Sequence, residues 1–216
     1  MPEIKLVIGV PTSGTVRMSF AYSLCGMVAS FAARKIPTIP EAAISLRISV
    51  AESSNWITNR ERIAKGMLEA GDTHLVFLDD DMTFEPNILE VMLGRRQDIV
   101  TTNYLIKTDP ASQAPFVAVG MDGKRLPTKE SSTGLEPILY SGFGVSIISA
   151  EVFRKTPQPW FMPDFNAQTS DYTTEDNPFF RRAREAGFTV YLDHDASKLV
   201  SHNGSKTWNW KEVNHG

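Results

Sequence analysis

The sequence predicts an α/β fold, a mostly parallel central sheet flanked by helices with a small antiparallel excursion, and three observations carry that expectation. Short apolar runs, Leu6-Val7-Ile8-Gly9-Val10 and Leu75-Val76-Phe77-Leu78, read as strands rather than helices, the second of them buried. Stretches of helical periodicity separate them, and strands alternating with helices build parallel sheets. Finally, Asp79, Asp80 and Asp81 follow the second run directly, at the strand end where open α/β sheets bind ligands.

Taken in order, the first strand stops at Pro11-Thr12-Ser13-Gly14, and a helical pattern then covers residues 16–35 and ends before Pro37. Residues 44–51 form the second strand. A helix over 54–70, closed by Gly71, delivers the chain into the strand before the aspartates. Pro86 opens a further helix through Leu93, because proline is tolerated in a first turn, and residues 98–102 form another strand. Residues 103–137 carry turn signals such as Asp122-Gly123-Lys124 and read as loops with the antiparallel excursion. Strand character returns over 140–149, around Ser141-Gly142-Phe143-Gly144, followed by a short helix over 150–155 and a Pro- and aromatic-rich loop holding Trp160. A helix over 175–186 capped by Gly187, a strand over 188–192 and a short strand over 198–201 complete the pattern.

The chain has 216 residues, 42% hydrophobic and 22% charged, the balance of an ordinary globular protein with one substantial core, so 1–216 reads as a single domain. A net charge of −3 and a pI near 5.8 exclude a global basic field of the kind that grips nucleic acid non-specifically. The one cysteine, Cys25, sits in an apolar stretch and reads as a buried, inert thiol in a reducing compartment. The start of the chain has no signal-like region and no run of about 18 apolar residues occurs, so no transmembrane segment and a cytoplasmic location are expected.

Three adjacent carboxylates at a half-buried strand end repel one another, and desolvation adds to the cost of ionising them. A hard divalent ion compensates, and oxygen ligation suits Mg²⁺ or Mn²⁺, which keep positions open for substrate phosphates. The competing reading is a solvated acidic turn at the N-terminus of the next helix.

Further motifs narrow the choice. Phe77-Leu78-Asp79-Asp80-Asp81-Met82, the Ser141-Gly142-Phe143-Gly144 turn, Thr174-Glu175-Asp176 opening a helix that ends Arg184-Glu185-Ala186-Gly187-Phe188, and the late Ser201-His202 occur in an order that resembles the GT-A glycosyltransferases, particularly the family 2-like ones. The resemblance covers nearly the whole chain. It implies a single GT-A, Rossmann-like domain whose first half, 1–102, binds a nucleotide-sugar donor and whose second half, 103–216, binds the acceptor and carries the catalytic groups.

Carried over residue by residue, Asp79, Asp80 and Asp81 match the family's Asp-x-Asp region, where one carboxylate meets the ribose and the last binds the metal. The resemblance thus implies Mn²⁺ or Mg²⁺ on Asp81, with Asp79 and the late His202 as further ligands. Asp176 matches the carboxylate that takes the acceptor's proton in inverting members, with Glu175 positioning it; the alternative is a helix start capped by Thr173 or Thr174. Pro11, Thr12 and Ser13 fall where relatives contact the nucleotide. Asn59-Arg60 resembles, in reversed order, an Arg-Asn pairing that reaches the base or diphosphate, and a helix-surface salt bridge is the alternative.

The expected reaction moves a sugar from a nucleotide-sugar donor, a UDP-sugar by preference, to a hydroxyl acceptor on a glycan, lipid, protein or modified nucleobase. Gly142 and Gly144 would let acceptor and sugar approach the backbone, and Trp160, Trp208 and Trp210 offer stacking faces or core packing. The tail 206–211 alternates basic and aromatic residues, a pattern that also suits a nucleic-acid strand, hence the minority reading of glycosyl transfer to a modified DNA base. A metal-dependent nucleotidyltransferase or phosphohydrolase, and a non-catalytic carbohydrate- or nucleotide-binding module, share the same acidic strand end. His74, His194 and His215 have weaker claims than His202 to a metal.

Overall fold

The computed structural model describes residues 3–33, 44–108, 114–204 and 207–212. The elements run β1 (Ile4–Thr12), α1 (Met18–Ala33), β2 (Ile44–Glu52), α2 (Trp56–Glu69), β3 (His74–Leu78), β4 (Met82–Phe84), α3 (Ile88–Gly94), β5 (Ile99–Thr101), β6 (Val119–Gly120), β7 (Leu135–Tyr140), β8 (Val145–Ser149), α4 (Ala150–Lys155), β9 (Phe165–Asn166), β10 (Asp171–Tyr172), α5 (Asp176–Glu185), β11 (Tyr191–Asp193), α6 (His194–Ser197), β12 (Val200–Asn203) and β13 (Thr207–Trp208). The main sheet has the order β2-β1-β3-β8-β5-β11-β7-β6, and β13-β12-β4 forms a separate small antiparallel sheet.

The class is the α/β fold expected, and the sheet is mixed. β1 pairs in parallel with β2 and β3, and β5 with β11, whereas β8 runs antiparallel between β3 and β5. Side-chain alternation along the inner strands explains the two cores. Val7, Leu75 and Phe77 point to one face and pack under α2, α4 and α5, while Leu6, Ile8, Val10, Val76 and Leu78 point to the other, under α1, α3 and α6. Every residue from Leu75 to Leu78 is buried, so the strand that ends in the aspartates is the centre of the molecule.

Local signals act where the sequence places them. Asn55 caps α2 by accepting a hydrogen bond from Thr58 N at 3.1 Å, and Gly71 and Gly187 take φ of 71° and 95° just past α2 and α5, a conformation that costs glycine nothing. The expected strand over 140–149 is two strands. The chain turns at 141–144, and β7 joins β11 while β8 enters the centre of the sheet. The short strand β4, the β9-β10 hairpin and β13 lie in stretches without strand-length apolar runs.

The expectation for Cys25 is overturned: its thiol is exposed. Helix α1 carries no charged residue, so its apolar pattern does not single out one face; Phe20 and Met27 meet the core while Tyr22 and Cys25 turn to solvent. His215 and part of the basic-aromatic tail fall outside the described residues. No helix among the described residues is long and apolar enough to cross a membrane.

An aromatic cluster stabilises the face below α5. Phe161 stacks on Phe179 at 5.1 Å and meets Phe77, Phe143 and Phe153 edge-on or tilted, with no exposed surface of its own. Phe161→Ala should therefore cost about 3–5 kcal/mol of stability, the range for truncating a buried phenyl ring, as measured by urea unfolding; a loss below about 1 kcal/mol would contradict this account of the core.

Candidate active site

The site is built around a buried arginine. Arg60, on the first turns of α2, is 4% exposed and lies over the rings of Phe77 and Phe143, with centroids at 5.1 and 4.7 Å. Its Nη2 donates to Asp79 Oδ1 at 2.7 Å and its Nε to Glu175 Oε1 at 3.2 Å. Such a cation is tolerated in a dry setting only because it is paired and its ring neighbours present their negative faces. Burial opposes its charge, and the carboxylates of Asp79, Glu175 and Asp176 outweigh that opposition and raise its affinity for the proton. Arg60 is thus an internal ion-pair centre and not a helix-surface salt bridge.

Asn59 beside it is fully buried. Its amide donates to the carbonyls of Thr12, at 3.0 Å, and Ser53, at 3.1 Å, and its oxygen accepts from Ser53 Oγ at 2.7 Å, so it ties the ends of β1 and β2 together. Pro11 and Thr12 are buried and Ser13 is exposed at the same sheet edge. Thr12 Oγ1 accepts from Gly14 N at 3.2 Å, which shapes the loop, and it also hydrogen-bonds Asp80. The Asp80 carboxyl is nonetheless raised, first by burial and then by its acidic neighbours.

The three aspartates point to three different partners. Asp79 faces Arg60, and burial raises its carboxyl more than Arg60 lowers it. Asp80 faces the β1 loop. Asp81 faces the C-terminal part of the chain: its Oδ2 receives the Lys107 ammonium and lies 3.2 Å from His202 Nε2, across 121 residues of sequence. The register explains the meeting, since Met82, the next residue, pairs with His202 in the β4-β12 ladder and Asn203 N donates to the Asp81 carbonyl at 2.7 Å. Burial pushes the Asp81 carboxyl up, but the hydrogen bonds and charges of His202 and Lys107 prevail and bring it down to about 2.

His202 Nδ1 lies 2.9 Å from the Leu105 carbonyl and therefore carries the hydrogen, which leaves Nε2 turned to Asp81. Among the described residues no three His, Cys, Asp or Glu side chains are grouped to hold an ion. The Asp81-His202 pair still fits Mg²⁺ or Mn²⁺, which take one or two carboxylates or an imidazole and fill the remaining positions with water and phosphate oxygens. Asp79, with Oδ1 spent on Arg60, stands apart from that pair.

Asp176 opens α5, one residue after Glu175. Glu175 occupies the N-cap position without capping, because its carboxylate goes to Arg60, and Thr173 Oγ1 accepts from Asp164 N at 3.0 Å instead of closing the helix. The capping explanation for this acidic pair therefore does not describe their contacts. Burial, and then Glu175 and Asp79, hold the Asp176 carboxyl well above the ordinary carboxylate range, against the opposing pull of Arg60 and a hydrogen bond from Phe143 N–H. Asp176 and His202 line one cleft of about 440 Å³, with Tyr104, Ser141, Thr174 and Asn177.

Gly142 and Gly144 do permit a close approach, and Tyr104 takes it. A Cβ at Gly142 would stand 2.0 Å from Tyr104 Oη and one at Gly144 2.6 Å from Tyr104 Cε1, while Gly144 N donates to that hydroxyl at 3.1 Å. Trp160 is core, its Nε1 donating to Phe153 O at 3.1 Å and Thr156 O at 3.0 Å; Trp208 is buried, donating to Thr108 O at 2.8 Å; Trp210 is half-buried. His74 bonds Thr73 at 2.9 Å, and His194 lies between Thr128 and Glu136, 3.0 Å from each, both away from the aspartates. Lys107 and Tyr104 belong to the site but carry no sequence signal, since both fall in a stretch that reads as loop.

This combination of a mixed sheet, a small antiparallel sheet and an acidic strand end at its centre is the GT-A fold. Among solved structures, A197 from STIV is similar over 92% of this chain and 85% of its own, with a TM-score of 0.58 at 19% identity. GalNAc-T7 with UDP, GalNAc and Mn²⁺ is similar over 94% of this chain, with a TM-score of 0.55 at 10% identity, and the match spans 44% of that longer chain. No protein-family model and no curated protein sequence matches the chain.

Replacing Arg60 leaves Asp79 and Glu175 as uncompensated charges in a low-dielectric setting. Arg60→Met should lower stability by about 3–5 kcal/mol in chemical denaturation, and neutralising one partner as well, in Arg60→Met/Asp79→Asn, should restore part of it. Additive losses in the double variant would contradict the pairing.

Proposed function

We propose that this chain is a metal-dependent glycosyltransferase that moves a sugar from a nucleotide-sugar donor, a UDP-sugar by preference, to a hydroxyl acceptor with inversion, using Asp176 as the base. One observation carries this reading: His202, paired with Asp81 at a position suited to a divalent ion, and Asp176, a carboxylate with raised proton affinity, line the same cleft. The GalNAc-T7 structure of similar fold holds UDP and Mn²⁺, which is in keeping with it.

A divalent ion on Asp81 and His202 supplies Lewis-acid stabilisation of the charge on the leaving diphosphate. The chain's own groups supply the rest. The β1 loop at Pro11, Thr12 and Ser13, with Asp80 facing it, borders the place for the nucleoside, and Asp79 is available to the ribose through Oδ2. Arg60 does not leave its carboxylates; it sets the position and field of Glu175 and Asp176, and Asn59 holds the loop that borders the donor.

At the reacting centre, Asp176 takes the proton from the acceptor hydroxyl as that oxygen bonds the anomeric carbon and the bond to the diphosphate breaks. Its raised proton affinity favours uptake of that proton. Glu175 keeps Asp176 oriented and, by like charge, basic. On this reading residues 1–102 supply most donor contacts and 103–216 the acceptor cleft and base, with His202 crossing over to complete the metal position.

Binding of UDP measured calorimetrically should require Mn²⁺ or Mg²⁺ in the wild type and should be lost in Asp81→Ala. UDP binding without metal, unchanged in Asp81→Ala, refutes the metal-dependent reading, and release of phosphate or pyrophosphate from a nucleoside triphosphate points to a phosphoryl-group enzyme instead.

Asp176→Asn should retain UDP affinity while losing about 10²–10⁴-fold in transfer rate. The folded protein holds the Asp176 proton more tightly than the unfolded chain, so this residue's contribution to stability falls as pH rises from the ordinary carboxylate value, about 4, through its raised folded value. The same substitution should therefore raise the melting temperature at neutral pH, with the advantage shrinking toward acid. A melting temperature unchanged at every pH would show that Asp176 is not a strained, buried carboxylate.

A further inference from the structure

Lys107 has no place in the reaction as set out, yet its ammonium stands where the metal reading puts the ion. It shares one oxygen, Asp81 Oδ2, with His202 Nε2. A cation ligated by both Asp81 and His202 has to enter that position, and an ammonium already there must leave first.

We propose that Lys107 is a built-in counter-ion that makes divalent metal and nucleoside diphosphate bind cooperatively: it neutralises Asp81 in the free protein, yields that carboxylate to the metal, and then pairs with the diphosphate. The inference rests on the metal-dependent reading of the site.

The surroundings confine the exchange to the side chain. The backbone on either side of Lys107 is held, by Ile106 N donating to Pro115 O at 2.9 Å and by Thr108 O accepting from Trp208 Nε1 at 2.8 Å. The Leu105 carbonyl in turn fixes the His202 ring at 2.9 Å. Gly204 lets the stem pass: a Cβ there would stand 3.3 Å from Lys107 Cδ and 2.7 Å from the Trp208 ring. A long unbranched stem anchored in this way can move its charge by several ångströms while the loop stays in place.

Charge then dictates the coupling. Lys107 is 29% exposed, so an ammonium displaced from Asp81 by a dication is left half-buried and beside a like charge, an unfavourable state unless an anion arrives. A nucleoside diphosphate brings oxygens to both cations at once. Metal alone must therefore compete with Lys107, whereas metal with diphosphate gains from it, and by linkage each ligand raises the affinity of the other.

The test is calorimetric titration of Mn²⁺ into the wild type, Lys107→Met and Lys107→Arg, each with and without saturating UDP. Lys107→Met should bind Mn²⁺ about tenfold more tightly than the wild type when UDP is absent, and the enhancement that UDP confers on Mn²⁺ should fall by a similar factor, within the usual span of site-to-site coupling. Lys107→Arg, which keeps the cation, should stay close to the wild type. Equal Mn²⁺ affinity in wild type and Lys107→Met overturns the counter-ion role while leaving the metal reading intact. Failure of all three proteins to bind Mn²⁺, with or without UDP, overturns both. Lys107→Gln, compared by thermal melting, serves as the neutral variant if Lys107→Met does not fold.

Discussion

The pairing of one buried guanidinium with carboxylates from two distant stretches of chain organises this molecule. Arg60 leaves α2, lies across Phe77 and Phe143, and holds Asp79 at the end of β3 and Glu175 at the start of α5. An arginine in that position cannot go unpaired, because the desolvation of an isolated charge exceeds what packing returns. The constraint runs both ways. The carboxylates are kept within reach of one another by the cation, and Asp176, next to Glu175 but outside the direct pairing, is left with more negative than positive charge around it. Burial is the first cause of its raised proton affinity, and the carboxylates of Glu175 and Asp79 add to it against the pull of Arg60.

A second constraint sits on the other side of the aspartate triplet. The β4-β12 ladder places His202 opposite Met82, so Asp81 turns away from Asp79 and toward the C-terminal segment. Three neighbouring carboxylates that would repel one another as a group are thereby separated: one goes to an internal arginine, one to the β1 loop, and one to an imidazole and an ammonium. The triplet is not a single cluster that awaits an ion but three separate sites that share a strand end.

How far the sequence reaches is clear from particular elements. The continuous apolar runs along 6–10 and 75–78 are enough to place strands that are buried on both faces, and Gly71 and Gly187 mark helix ends because few other residues accept their backbone angles. β4 and β13 have only three and two residues, with no period long enough to detect, and so the partner of His202 is not legible. Likewise Ser141-Gly142-Phe143-Gly144 reads as strand, since Phe and small residues fit a sheet, and only the packing of Tyr104 against the two glycines shows why the chain must turn there. Cys25 was misplaced for the opposite reason: a helix without charges does not reveal which side is wet.

The sequence by itself determined the α/β class, the central strand that ends in three aspartates, and the residue types on which the chemistry depends, because these follow from local periodicity and from the intrinsic properties of carboxylate, imidazole and guanidinium. The tertiary structure alone decided which aspartate meets which partner, that Arg60 is an internal charge and not a surface one, and that Lys107 stands at the candidate metal position. Each of those outcomes depends on contacts between residues distant in sequence, 121 positions apart for Asp81 and His202, and on burial, which fixes the energetic value of a charge and has no local signature.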